Sequence, residues 1–104
     1  MTLGEKQRVF TLMVAELIRY AYKQGYELTF GDAYRDKRVT YGHENSLHRK
    51  RLAVDLNLFK DGKYLVNTAD HEPLGVYWEE TLGGTWGGRF EDGNHYSLEH
   101  KGMK

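Results

Sequence analysis

A chain of 104 residues with 15 basic and 15 acidic side chains carries no net charge, which excludes recognition of nucleic acid through a broad basic field. The length suits one domain with a modest core, residues 1–104, acting as a monomer. With no cysteine in the sequence, disulfides and thiolate metal sites are excluded, and any bound metal must be held by His, Asp or Glu.

Thr2-Leu3-Gly4-Glu5 reads as a capping box, a hydroxyl followed three residues on by a carboxylate. It predicts a helix to about Gln24, with Phe10, Met13, Leu17 and Ala21 on its apolar side and Gly25 as its stop. Tyr26 to Phe30 alternates and predicts a strand, while the polar segment from Lys37 to Asn45 predicts a loop. Leu52, Val54, Leu56 and Leu58 then alternate with Ala53, Asp55, Asn57 and Phe59, the period of a half-buried strand. Lys60-Asp61-Gly62-Lys63 predicts a hairpin turn and Tyr64-Leu65-Val66 the returning strand. A second helix is expected from Thr68 or Asp70, with Leu74, Tyr77, Trp78 and Leu82 on one face and Gly83-Gly84 at its end. A glycine-rich loop (Thr85 to Phe90), a turn (Glu91 to Asn94), a closing strand (His95 to Glu99) and a frayed tail complete the chain. The order α-β-β-β-α-β with antiparallel hairpins indicates an α+β domain.

The chemistry centres on Asp55. It lies mid-strand on the face opposite four aliphatic residues, and a carboxylate there needs a partner. An arginine, Arg35 or Arg51, is one candidate. A zinc ion shared with His48 and His95 is the other, since two neutral imidazoles and one carboxylate meet the needs of a catalytic site with an open position for water. His48 precedes Asp55 by seven residues, an odd separation that puts them on opposite faces of an unbroken strand. A turn within Arg49-Lys50-Arg51 is therefore required to bring them together. Asp92 stands three residues before His95, across Gly93, and suits a general base acting on water. Arg35 is the candidate cation for a developing oxyanion. Trp86, flanked by glycines, reads either as a rigid turn or as a cleft wall that accepts a flat peptide. His43 reads as a solvated loop residue or a partner to a ligand. His71 and His100 read as surface residues.

Ser46-x-His48 followed by Ala53-x-Asp55, with Asp92-x-x-His95 later, resembles the zinc peptidases of the D-alanyl-D-alanine carboxypeptidase class. That class includes the VanX and VanY enzymes and the phage L-alanyl-D-glutamate endolysins. Tyr34-Arg35 and Trp86-Gly87-Gly88-Arg89-Phe90 are similar to the phage members, and the likeness spans about Phe30 to Leu98. The resemblance implies the small α+β fold shared with hedgehog signalling domains. It implies a zinc cofactor on His48, Asp55 and His95, Asp92 as base, Arg35 stabilising the transition state, and Ser46 orienting substrate or a ligand. The implied activity is hydrolysis of a peptidoglycan stem peptide for host lysis, either at L-alanyl-D-glutamate or at D-alanyl-D-alanine. A non-catalytic zinc-bound wall-binding module on the same fold is the other class of reading. One departure stands out: Arg51 occupies the position where the pattern has glycine. Met1 to Lys6 lacks the layout of a signal peptide, and no apolar run is long enough to span a bilayer. Synthesis in the host cytoplasm without membrane insertion, and release to the wall by a separate factor, are the corresponding expectations.

Overall fold

The computed structural model describes residues 1–31 and 47–104. Helix α1 runs Leu3–Lys23. Its start is the expected capping box: Thr2 N donates to Glu5 Oε1 at 2.8 Å and Glu5 N to Thr2 Oγ1 at 3.1 Å. Its end is a Schellman closure, in which Gly25 takes φ +92° while Gly25 N donates to Tyr22 O and Tyr26 N to Ala21 O. Phe10, Met13, Leu17 and Ala21 are its buried residues.

Among the described residues, five strands form an antiparallel sheet: β1 (Glu27–Phe30), β2 (Ala53–Lys60), β3 (Lys63–Leu65), β4 (Thr85–Trp86) and β5 (His95–Ser97), ordered β1-β2-β5-β4 with β3 on β2. The β2–β3 hairpin has Asp61 and Gly62 both at positive φ, the two-residue turn that the Asp-Gly pair favours. Along β2 the burial alternates after Ala53: Val54, Leu56 and Leu58 face the core, Asp55, Asn57 and Phe59 the other side. Burying each such aliphatic side chain contributes about 1.5–3 kcal/mol. This is an α+β fold, the class that the element order indicates.

Between β3 and β4 the chain makes a 3₁₀ turn (Thr68–His71), helix α2 (Glu72–Val76) and a π-helical turn (Tyr77–Thr81). The cap lies earlier than expected, at Asn67, whose N–H donates to Asp70 Oδ2 at 3.1 Å. Leu74 and Trp78 are buried as the periodicity requires. The Trp78 ring meets Phe10 and Tyr96 edge to face, and its Nε1 donates to the carbonyls of Thr85 and Ser97. The tail is tied down rather than frayed: Met103 packs on the core, His100 bridges to it, and Ser97 Oγ donates to Lys104 O at 3.2 Å. Among the described residues, no helix is long and apolar enough to cross a membrane.

Candidate metal centre

Register sets the first pair of the site. β2 and β5 run antiparallel with Asp55 opposite His95, so both side chains leave the same face of the sheet. Leu56 N donates to Asn94 O and Leu98 N to Leu52 O, so the ladder bonds fall on either side and Asp55–His95 is a non-hydrogen-bonded pair. Side chains approach closest at such pairs. His95 Nδ1 lies 3.3 Å from Asp55 Oδ1.

His48 arrives by the turn that its odd spacing from Asp55 demands. Residues 47–51 wind into one tight turn, closed by Arg51 N to His48 O and Leu52 N to Leu47 O. Arg51 takes φ +58°, the left-handed region in which glycine is the default residue. Arg51 is thus the one residue of this turn whose backbone favours glycine. Gln7 Nε2, from α1, donates to Lys50 O at 2.8 Å and holds the turn against the helix. His48 Nε2 consequently also stands 3.3 Å from Asp55 Oδ1.

His48 is 3 % exposed and His95 8 %. Their rings meet at 5.2 Å between centroids. Burial alone would raise the Asp55 carboxyl, but hydrogen bonds from His48 and His95, with their charge, outweigh it and hold the group down at about 2. Asp55 is therefore ionised across the neutral range and offers a charged oxygen between two imidazole nitrogens. One ligand atom from each residue lies within 4.8 Å of the other two, and this His48–Asp55–His95 group could hold a metal ion. Among the described residues, the ionic partners of Asp55 are these histidines and not Arg51.

Asp92 sits at the rim. Its Oδ2 is 4.0 Å from His95 Nδ1, and its side chain is 54 % exposed. Backbone bonds hold it there: Asp92 N donates to Gly87 O and His95 N to Asp92 O. Gly87 permits this closeness, because a Cβ there would collide with the Asp92 carbonyl and crowd His95 Cβ at 2.7 Å.

Trp86 is a correction. Of its two readings, rigid turn and cleft wall, the second does not fit: Trp86 is 5 % exposed and pairs with Tyr96 on the core face of the sheet, opposite to the face that carries Asp55 and His95. Gly75 and Gly88 lie against its ring so closely that neither has room for a Cβ. Its Nε1 donates to Gly93 O at 2.7 Å, so it braces the Asp92–Asn94 loop from behind. Arg35 and Ser46 lie outside the described residues, as do His43 and the predicted 37–45 loop.

His71 is a second correction. It is buried, 3 % exposed, with Nδ1 2.9 Å from Tyr96 Oη. The spacing 71, 74, 78 puts it on the buried stripe of Leu74 and Trp78, a signal present in the sequence but masked by the polar run before Pro73. No protein-family model matches the chain, and no curated protein matches it significantly.

Proposed function

We propose that the protein is a zinc-dependent peptidase that cleaves peptidoglycan stem peptides, an L-alanyl-D-glutamate endopeptidase serving host lysis by a phage. The observation that carries this reading is the convergence of two imidazole nitrogens on one Asp55 oxygen, each at 3.3 Å, with the exposed carboxylate of Asp92 alongside. Donor atoms 2.0–2.1 Å from a shared zinc at the tetrahedral angle lie roughly 3.3 Å apart, the spacing of Asp55 Oδ1 from each imidazole nitrogen, and all three ligand atoms lie within 4.8 Å of one another. The donor set, two nitrogens and one carboxylate oxygen, is one that catalytic zinc accepts while keeping a position open. The motif resemblance supplies the substrate class.

Bound there, zinc supplies Lewis acidity, which polarises a carbonyl and brings water's acidity near neutral pH. Asp92, exposed at the rim, takes the proton from the attacking water and hands it to the leaving amine. Asp55 anchors both histidines in one orientation. Arg35 is assigned the developing oxyanion on the strength of the motif. The protein acts as a monomer on the wall after release by a separate factor.

Digestion of purified peptidoglycan with the zinc-loaded protein, followed by mass analysis, tests the reading. The expected product carries a new amino terminus on D-glutamate. Release of terminal D-alanine would instead assign a D-alanyl-D-alanine carboxypeptidase. Intact peptidoglycan in the presence of bound zinc would leave a binding module and overturn the proposal.

A further inference from the structure

Beside the metal-binding group lies a pocket of about 180 Å³. It opens where the end of β3 meets the start of β5, along one edge of β2. Among the described residues its lining includes Asn57, Thr68, His71, Glu91, Asp92 and Asn94. Asp92 is shared with the metal rim, and Asn57 leaves the same strand face as Asp55, two residues on.

His71 is the informative member. Tyr96 is fully buried, and a phenol hydroxyl inside a core needs a hydrogen-bond partner. Among the described residues, its hydrogen-bonding partner is His71 Nδ1. A buried phenol proton goes to an acceptor, so Tyr96 donates and Nδ1 accepts. Burial also lowers the ionisation of His71, against the opposing pull of Asp70, which keeps the ring neutral. A neutral ring with Nδ1 unprotonated carries its hydrogen on Nε2. His71 lines the pocket, and Nε2–H is the ring donor not engaged by Tyr96.

We propose that this pocket is a subsite for the backbone carbonyl of an extended peptide, with His71 Nε2–H as the donor and Tyr96 as the residue that sets its tautomer. The proposal rests on the peptidase reading for the identity of its ligand. Glu91 and Asp92 disfavour a carboxylate there, whereas an uncharged amide brings an acceptor for His71 and a donor for the neighbouring oxygens. An extended chain advances about 6.6 Å per two residues, so a carbonyl seated beside Asn57 belongs to a residue about two positions from the bond at the metal.

The test is long-range proton–nitrogen NMR on the nitrogen-labelled, zinc-loaded full chain, reading both His71 ring nitrogens through the carbon-bound ring protons. At pH 7 the expected spectrum shows Nδ1 bare and Nε2 protonated. Adding N-acetyl-alanyl-alanine amide is expected to shift Nε2, while the same concentration of acetate leaves it in place. Tyr96→Phe is expected to let the Nδ1–H form appear. A His71 protonated on Nδ1 in the wild type, a Tyr96→Phe spectrum unchanged from it, or an Nε2 that responds to acetate and not to the amide would each overturn the proposal. None of these readings requires hydrolysis, so a protein inert on peptidoglycan refutes the enzyme and leaves the subsite standing or falling on its own spectra.

Discussion

Arg51 shows how one backbone angle positions a ligand. At φ +58° it turns the chain so that His48 and Asp55, seven residues apart, meet on one oxygen. Non-glycine residues in this region are strained by about 1–2 kcal/mol. Arg51→Gly and Arg51→Val both delete the guanidinium, so their difference isolates the backbone. Urea unfolding is expected to find the valine variant about 1–2 kcal/mol less stable than the glycine variant, with weaker metal binding. Equal stabilities would mean that the turn does not use the left-handed region.

Asp92 and His71 make separate predictions at the same scale. Because the Asp92 side chain is 54 % exposed and is not among the three grouped ligands, Asp92→Asn should keep metal stoichiometry and stability. Turnover on a stem peptide is expected to fall by about 10²–10⁴, the range for a general base; an unchanged rate would remove Asp92 from the mechanism. His71 is held below its ordinary value of 6.5, chiefly by burial. The unfolded chain therefore binds this proton more readily than the folded one. The stabilising contribution of His71 is complete above about pH 6.5 and is lost as pH falls through the lower folded value. The stability gap between wild type and His71→Gln, measured by urea unfolding, should narrow from about pH 8 to about pH 5. A gap independent of pH would contradict a neutral, buried ring.

At the scale of elements, the face that carries His48, Asp55 and His95 depends on contacts made from the core side. β4 and the 3₁₀ turn Gly87–Phe90 carry no ligand, yet Gly87 abuts the Asp92 carbonyl and Trp86 holds Gly93 O. Glu79 fastens the same segment, accepting from Trp86 N and from Arg89. Gly87→Ala is expected to weaken metal binding about tenfold or more and to cost about 1–3 kcal/mol of stability, as overpacking does. Metal titration and thermal unfolding check it, and a silent substitution would show that the loop yields freely.

These same elements mark what could be read in advance. Alternation over Leu52 to Phe59 placed Asp55 on the non-core face, and parity required a turn after His48, because both follow from a strand period of two. The pairing of Asp55 with His95 was not written in either segment: register is a property of two strands together, and here it comes with the Leu56–Asn94 and Leu52–Leu98 bonds. Trp86 stays open between rigid turn and cleft wall in the sequence because Thr85-Trp86 is too short to show alternation, and its flanking glycines look like loop while serving as space for the indole. His71 was misplaced because local polarity outweighed its spacing to Leu74 and Trp78.

For the whole molecule, a bound ion couples stability to metal concentration. A ligand that binds only the folded state at one hundred times its Kd adds about 2.7 kcal/mol. For a chain of this size that raises Tm on the order of 10 °C. Thermal unfolding with zinc and with a chelator is expected to differ by this much, and His48→Ala to abolish the difference. A wild-type Tm indifferent to zinc would mean that the three side chains hold no ion.

The separation of the ligands along the chain has a kinetic side. His48 and Asp55 are near neighbours, but His95 follows Asp55 by forty residues and reaches it only through the β2–β5 ladder. A slip of β5 by one residue would send His95 into the core and Tyr96 into solvent. An ion that needs all three donors thus discriminates between correctly and incorrectly zipped sheets. During refolding, metal uptake should lag the appearance of α1, whose contacts are local, and coincide with closure of the longest loop the sheet must bridge. Such an ion would act as a proofreader of assembly, sealing the native strand alignment only after the chain has found it.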